Sequence, residues 1–131
     1  MKKSGIINAE LMHEIAALGH MEKFLVADAG MPIPQGVKII DLAVCKGVPG
    51  FYDVLNAVLA ETQIQSYYIA SESRQQNPNL LTQLDNALPK VKKEEMPHSD
   101  LKEKSKDCKF AIRTGEYTPF CNVIMEAGVT F

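Results

Sequence analysis

Cysteine is scarce in this chain: Cys45, Cys108 and Cys121 are three in 131 residues. An odd number at wide separations fits neither a disulfide framework nor a CxxC zinc pattern, so reduced thiols in a cytoplasmic protein are the expectation. Histidine is equally sparse, and His13, His20 and His98 share no metal-ligand spacing, so no metal is expected. Nucleotide fingerprints are missing too. The sequence holds no GxGxxG and no GxxxxGK followed by Ser or Thr, and the Asp-Ala-Gly run at position 28 is neither, so no cofactor is expected.

Charge of one sign is also lacking. The formal net charge is −2, and the lysines are scattered apart from Lys2-Lys3 and Lys92-Lys93. Nucleic-acid binding needs a concentrated basic stripe to displace counterions, and none is written here. No window approaches the roughly 20 apolar residues that span a bilayer, so no membrane partner is expected. Two lysines ahead of an apolar stretch superficially suggest a signal peptide, but Glu10, His13 and Glu14 interrupt the run and no small-residue cleavage motif follows. A neutral or weakly charged small molecule is the expected partner of a soluble protein.

What is present is ordinary for a globular chain: 46% hydrophobic and 23% charged residues, enough sequence for one compact domain over 1–131. Asn8 is placed to cap a helix running to about Leu18, with Glu10 in its first turn, Ile7, Leu11, Ile15 and Leu18 as its buried stripe, and Gly19 as a left-handed stop. Phe24–Ala27, Val37–Val44 and Ile64–Ala70 read as strands, and Phe51–Thr62 and Asn77–Leu88 as helices. The polar SESRQQNPN stretch reads as a loop, and Ser99 starts a short helix. After it come two β-rich runs separated by TGEYTP, expected to complete the sheet and set that loop at a functional edge. Alternating strands and helices predict an α/β fold, a three-layer α/β/α domain on a largely parallel or mixed sheet, with ligands gathered at the strands' carboxyl ends.

Four places carry candidate chemistry. His20 lies just past a helix end, where unpaired carbonyls attract a proton, and imidazole suits general acid/base work; a plain capping role is the alternative. Asp28 ends the first strand, where a carboxylate either accepts polyol hydrogen bonds or closes an Asx-turn. His98, between Pro97 and Ser99, reads as a loop or helix-entry residue that either reaches a cleft or is simply a surface loop histidine. The TGEYTPFCN segment gathers Glu116, Tyr117, Thr118, Phe120 and Asn122, a mix of amide, hydroxyl and ring that suits a sugar and that ordinary turn chemistry also explains in large part. His13 falls off the apolar stripe and reads as a surface residue.

The stretches MKKSGIIN, ALGH, VADAGMPIP, IRTGEYTPF and AGVTF lie along nearly the whole chain, and in combination they resemble the D-ribose pyranases, relatives of the fucose mutarotases. The resemblance implies a ring-shaped homo-oligomer, a decamer, with D-ribose sites in clefts between neighbouring subunits. It implies that His20 transfers protons while ribose exchanges pyranose and furanose rings without a cofactor. It further implies that Asp28, His98 and the tripeptide Phe120-Cys121-Asn122 bind the sugar. Many relatives carry tyrosine where this chain has Phe120, which removes a phenol from that position. A noncatalytic sugar-binding role in ribose uptake, or anomer exchange on fucose, remain the alternatives.

Overall fold

In the computed structural model, which describes residues 1–131, the Asn8 side chain accepts a hydrogen bond from the Leu11 N–H at 2.9 Å and opens helix α1, Ala9–Ala16. Leu11 and Ile15, one turn apart, bury its inner face. The expected stripe is corrected at both ends: Ile7 is exposed and Ile6 takes its place in the core, while Leu18 is only partly covered. Gly19 is not a left-handed stop either. Ala17 ends the helix in right-handed geometry, and the left-handed residue is Met21 at φ 67°. A tertiary contact imposes that turn, since the Met21 N–H donates to the Ala127 carbonyl at 2.9 Å.

The remaining elements are β1 (Lys23–Ala27), β2 (Lys38–Asp41), α2 (Phe51–Leu59), β3 (Ile64–Ala70), α3 (Ser73–Gln76), α4 (Pro78–Ala87), β4 (Lys92–Met96), α5 (His98–Lys104), a 3₁₀ turn (Ser105–Asp107), β5 (Cys108–Arg113) and β6 (Val123–Ala127). They form one six-stranded sheet in the order β2-β5-β1-β6-β3-β4. Only β6 runs antiparallel, between β1 and β3. The three-layer α/β expectation therefore holds. Alternate residues of each strand serve opposite faces: Phe24 and Val26 pack with α1, α2 and α4, whereas Leu25 and Ala27 pack with Leu101 of α5.

Two elements depart from the sequence reading. The polar stretch after β3 contains a helix, α3, of one turn. β4, KKEEM, has no apolar alternation, because it pairs on one side only and stands at the sheet edge. Such charged edges resist pairing with a foreign strand.

One cross-strand pair carries an unusual charge. Lys23 and Glu126 are register partners on β1 and β6, with an Nζ–Oε2 distance of 2.9 Å, and Glu126 is buried. Burial raises the carboxyl's pKa, but hydrogen bonds from Lys23, Gln65 and Tyr68 and the Lys23 charge outweigh it, lowering the pKa from 4.5 to about 2. A depressed carboxyl stabilises the fold above its unfolded value, and that contribution is lost as pH falls through the folded one. The melting-temperature gap between wild type and Glu126→Gln should therefore be widest near neutrality and close as pH drops from about 4.5 towards 2. A gap that stays constant over that range would remove the ion pair as its cause.

The loop between β5 and β6 is pinned by Gly115. A Cβ there would stand 2.6 Å from Cys45 O, Val48 N and Val48 O, all main-chain atoms that cannot swing aside. Gly115→Ala should destabilise the protein by about 1–3 kcal/mol in chemical denaturation; an unchanged midpoint would show that the Cys45–Val48 turn yields freely.

Candidate functional site

The five parallel strands end at one edge of the sheet, and β6 begins there, so Asp28, Thr114 and Asn122 converge where open α/β sheets bind ligands. A cleft of about 470 Å³ lies at this edge, lined by Asp28, His98, Lys102, Arg113, Tyr117 and Asn122 among others.

Asp28 and Asn122 form a reciprocal pair. The Asp28 N–H donates to Asn122 Oδ1 at 2.9 Å, and Asn122 Nδ2 donates to Asp28 Oδ2 at 2.6 Å. Asp28 Oδ1 also accepts from the Gly30 N–H at 2.9 Å, so the Asx-turn is present alongside its place in the cleft. The carboxylate is therefore fixed in direction while retaining lone pairs for a polyol hydroxyl.

His98 is the first residue of α5, after Pro97, and its N–H donates to both oxygens of Glu72 at 3.1 and 3.0 Å. Burial, and next the charge of Lys102, push its pKa below 6.5 against the opposing pull of Glu72 and Asp28. The ring is thus neutral near pH 7 and offers one donor and one acceptor. It meets the Phe120 ring edge-on at 5.1 Å and 88°, and its Nδ1 is buried without a partner in the chain. Phe120 holds φ 57° while its carbonyl accepts from Ser73 Oγ at 3.2 Å. Such a left-handed conformation costs about 1 kcal/mol or more, so the turn is over-determined. Cys121 is fully buried among the core side chains, and burial pushes its thiol up to about 12.

Glu116 lines the cleft as a brace. Its Oε1 accepts from Tyr117 N and Thr118 N at 3.0 Å each and from Thr118 Oγ1 at 2.8 Å, and its Oε2 accepts from the Phe51 N–H at the start of α2 at 3.4 Å. Burial works against the anion, but these donors hold its pKa below 4.5. Lys102 and Arg113 were not singled out from the sequence. Lys102 was findable, being one helical turn after His98 on the same face of α5. Arg113 donates to Ala29 O at 3.1 Å and to Asp41 Oδ2 at 2.9 Å, long-range contacts that carry no local signal.

His20 is elsewhere. It precedes β1 and is exposed at the opposite edge of the sheet, lining a second cleft of about 400 Å³ with Leu18, Gln63, Gly128 and Phe131. β1 alone spans about 17 Å at 3.3 Å per residue, so within one chain His20 and Asp28 do not meet. Here His20 Nε2 lies 2.9 Å from Gln65 Oε1, and Gln65 Nε2 donates to Glu126 Oε1 at 2.6 Å.

The chain is 51% identical over 131 residues to a D-ribose pyranase of Limosilactobacillus reuteri and 42% identical to one of Enterococcus faecalis, covering all of each. Its fold matches the structure of Bacillus subtilis RbsD complexed with D-ribose at a TM-score of 0.96, 40% identity and full coverage of both chains. The fucose mutarotase of Streptococcus pneumoniae in complex with L-fucose shares the fold at a TM-score of 0.80, 21% identity and 95% coverage of each chain. With residues 1–130 matching its family pattern, the chain belongs to the RbsD / FucU transport protein family.

Proposed function

We propose that this protein is a D-ribose pyranase, an isomerase that interconverts the pyranose and furanose forms of D-ribose. The observation that carries this reading is full-length identity of 42–51% to D-ribose pyranases, together with a cleft in which Asp28, Asn122 and His98 converge. A noncatalytic sugar-binding role uses the same cleft without proton transfer, and exchange kinetics separate the two.

The reaction needs only proton movements. A base takes the proton of the anomeric hydroxyl, the C1–O1 bond becomes a carbonyl, the bond from C1 to the ring oxygen breaks, and that oxygen receives a proton. The open aldehyde turns so that a different hydroxyl attacks C1, with the same transfers in reverse. His20 exchanges these protons, and Asp28, Asn122 and neutral His98 hold the hydroxyls. Phe120 supplies a ring without a hydroxyl beside His98, and fully buried Cys121 anchors the tripeptide in the core between Phe120 and Asn122.

His20 serves a site on another copy of the chain. Because His20 and Asp28 occupy opposite sheet edges, a complete site joins two different surface patches, a heterologous contact that closes into a ring. Exposed Met21, Ile39, Val44 and Val48 suit burial in such contacts. We take the assembly as the decameric ring that the resemblance implies, working in the cytoplasm, where buried free Cys108 and Cys121 stay reduced.

In saturation-transfer NMR on ribose, His20→Ala should abolish accelerated ring exchange while sedimentation and circular dichroism stay unchanged; exchange at the wild-type rate would remove His20 from the mechanism. Mixing inactive His20→Ala with inactive Asp28→Ala and reassembling them should restore about one quarter of wild-type activity, the fraction of sites that draw an intact residue from each copy. No recovery in verified mixed assemblies would overturn the site shared between two copies.

A further inference from the structure

We propose that Gln65 and Glu126 are positioning residues that fix the tautomer of His20, leaving its Nδ1 as the atom that trades protons with the sugar. The proposal rests on the reading of His20 as the proton-transferring group and specifies how that group is set.

The argument is one of hydrogen-bond polarity. An ionised carboxylate only accepts, so the 2.6 Å contact to Glu126 Oε1 must be made by the Gln65 amide nitrogen. That turns the Gln65 carbonyl oxygen towards His20, 2.9 Å from Nε2. A carbonyl oxygen only accepts, so the imidazole hydrogen sits on Nε2 and the lone pair on Nδ1. Lys23 at 2.9 Å and the Tyr68 hydroxyl at 3.2 Å hold Glu126 Oε2, so the carboxylate cannot turn away.

Backbone geometry supports the same assignment. In the pairing of β3 with β6, Ile64 faces Ala127 and Ser66 faces Glu126, so Gln65 is the extra residue of a bulge. A bulge re-aims a side chain, and Gln65 is thereby directed to the sheet edge rather than into the core. Gly128 leaves room for it, since a Cβ there would lie 3.2 Å from the Gln65 Cβ. The segment bearing His20 is tied to the same strand end, with Met21 N–H donating to Ala127 O and Ala127 N–H donating to Glu22 O, each at 2.9 Å. The main chain sets where the ring sits, and the side-chain relay sets which nitrogen is free.

The test begins with the wild type: nitrogen NMR on isotope-labelled histidine, with His20→Ala identifying the signal, should show neutral His20 as the Nε2–H tautomer. A predominant Nδ1–H form overturns the proposal whatever the variants do. Gln65→Leu should yield a mixture of tautomers and lower kcat for ribose exchange about tenfold or more, with KM within about twofold, since proton transfer and not sugar contact is disturbed. Glu126→Gln, which allows either amide orientation, should fall between. Retention of wild-type kcat and tautomer in Gln65→Leu overturns the relay, as does a raised KM with unchanged kcat. The two readings fail separately: an active His20→Ala sinks the proton-transfer assignment, whereas an inert His20→Ala beside a fully active Gln65→Leu sinks only the relay.

Discussion

A five-residue strand, β1, sets the terms for everything this protein does. Phe24 to Ala27 are fully buried between two layers and paired on both sides, so the strand is a rigid spacer. His20 stands before it and Asp28 after it, and no side-chain motion closes a gap of about 17 Å. Chemistry that uses both residues therefore has to be shared between copies. The separation turns assembly from an accessory property into part of the proposed site.

The single antiparallel strand then serves both ends. β6 enters the sheet beside β1, so its first residues reach the Asp28 edge and its last reach the His20 edge. Asn122 locks Asp28 at one end, and Glu126 and Ala127 organise Gln65 and Met21 at the other. A parallel strand in this slot would need a crossover and would start at the His20 edge. Placing a carboxylate in this buried strand is unfavourable unless it is paired, and Lys23, its register partner, supplies that charge.

Much of this was legible in residue order. The bounds expected for β3 are the observed ones, the Asn8 and Asn77-Pro78 helix starts follow from capping chemistry, and the EYTP part of TGEYTP lines the cleft beside Asp28. Local signals failed where tertiary contacts decide. The left-handed turn belongs to Met21 because Ala127 holds it, whereas Gly19 only looked the part. β4 was unreadable because an edge strand needs no apolar alternation. Gln65 and Glu126 were each visible as polar residues within apolar strands, IQSYYIA and VIMEA, and a buried carboxylate is itself a signal of pairing. What the sequence could not supply was their register across β3 and β6.

Phe120 brings a ring without a hydroxyl to the side of His98, which narrows the groups near Asp28 that could move a proton. Within the Asp28 cleft, Glu116 is occupied by the donors of its own loop and by the start of α2, and Asp28 is tied to Asn122 and Gly30. His98 is partly buried, shifted towards its neutral form, and backed by a ring without a hydroxyl. In the proposed site Asp28 and His98 hold sugar hydroxyls, while Glu116 braces the loop. Transfer of a proton to and from a hemiacetal suits an exposed imidazole with one nitrogen committed to the protein and the other open, and His20, exposed and held at Nε2 by Gln65, has that form; the proposed two-copy site is what would bring it to the sugar.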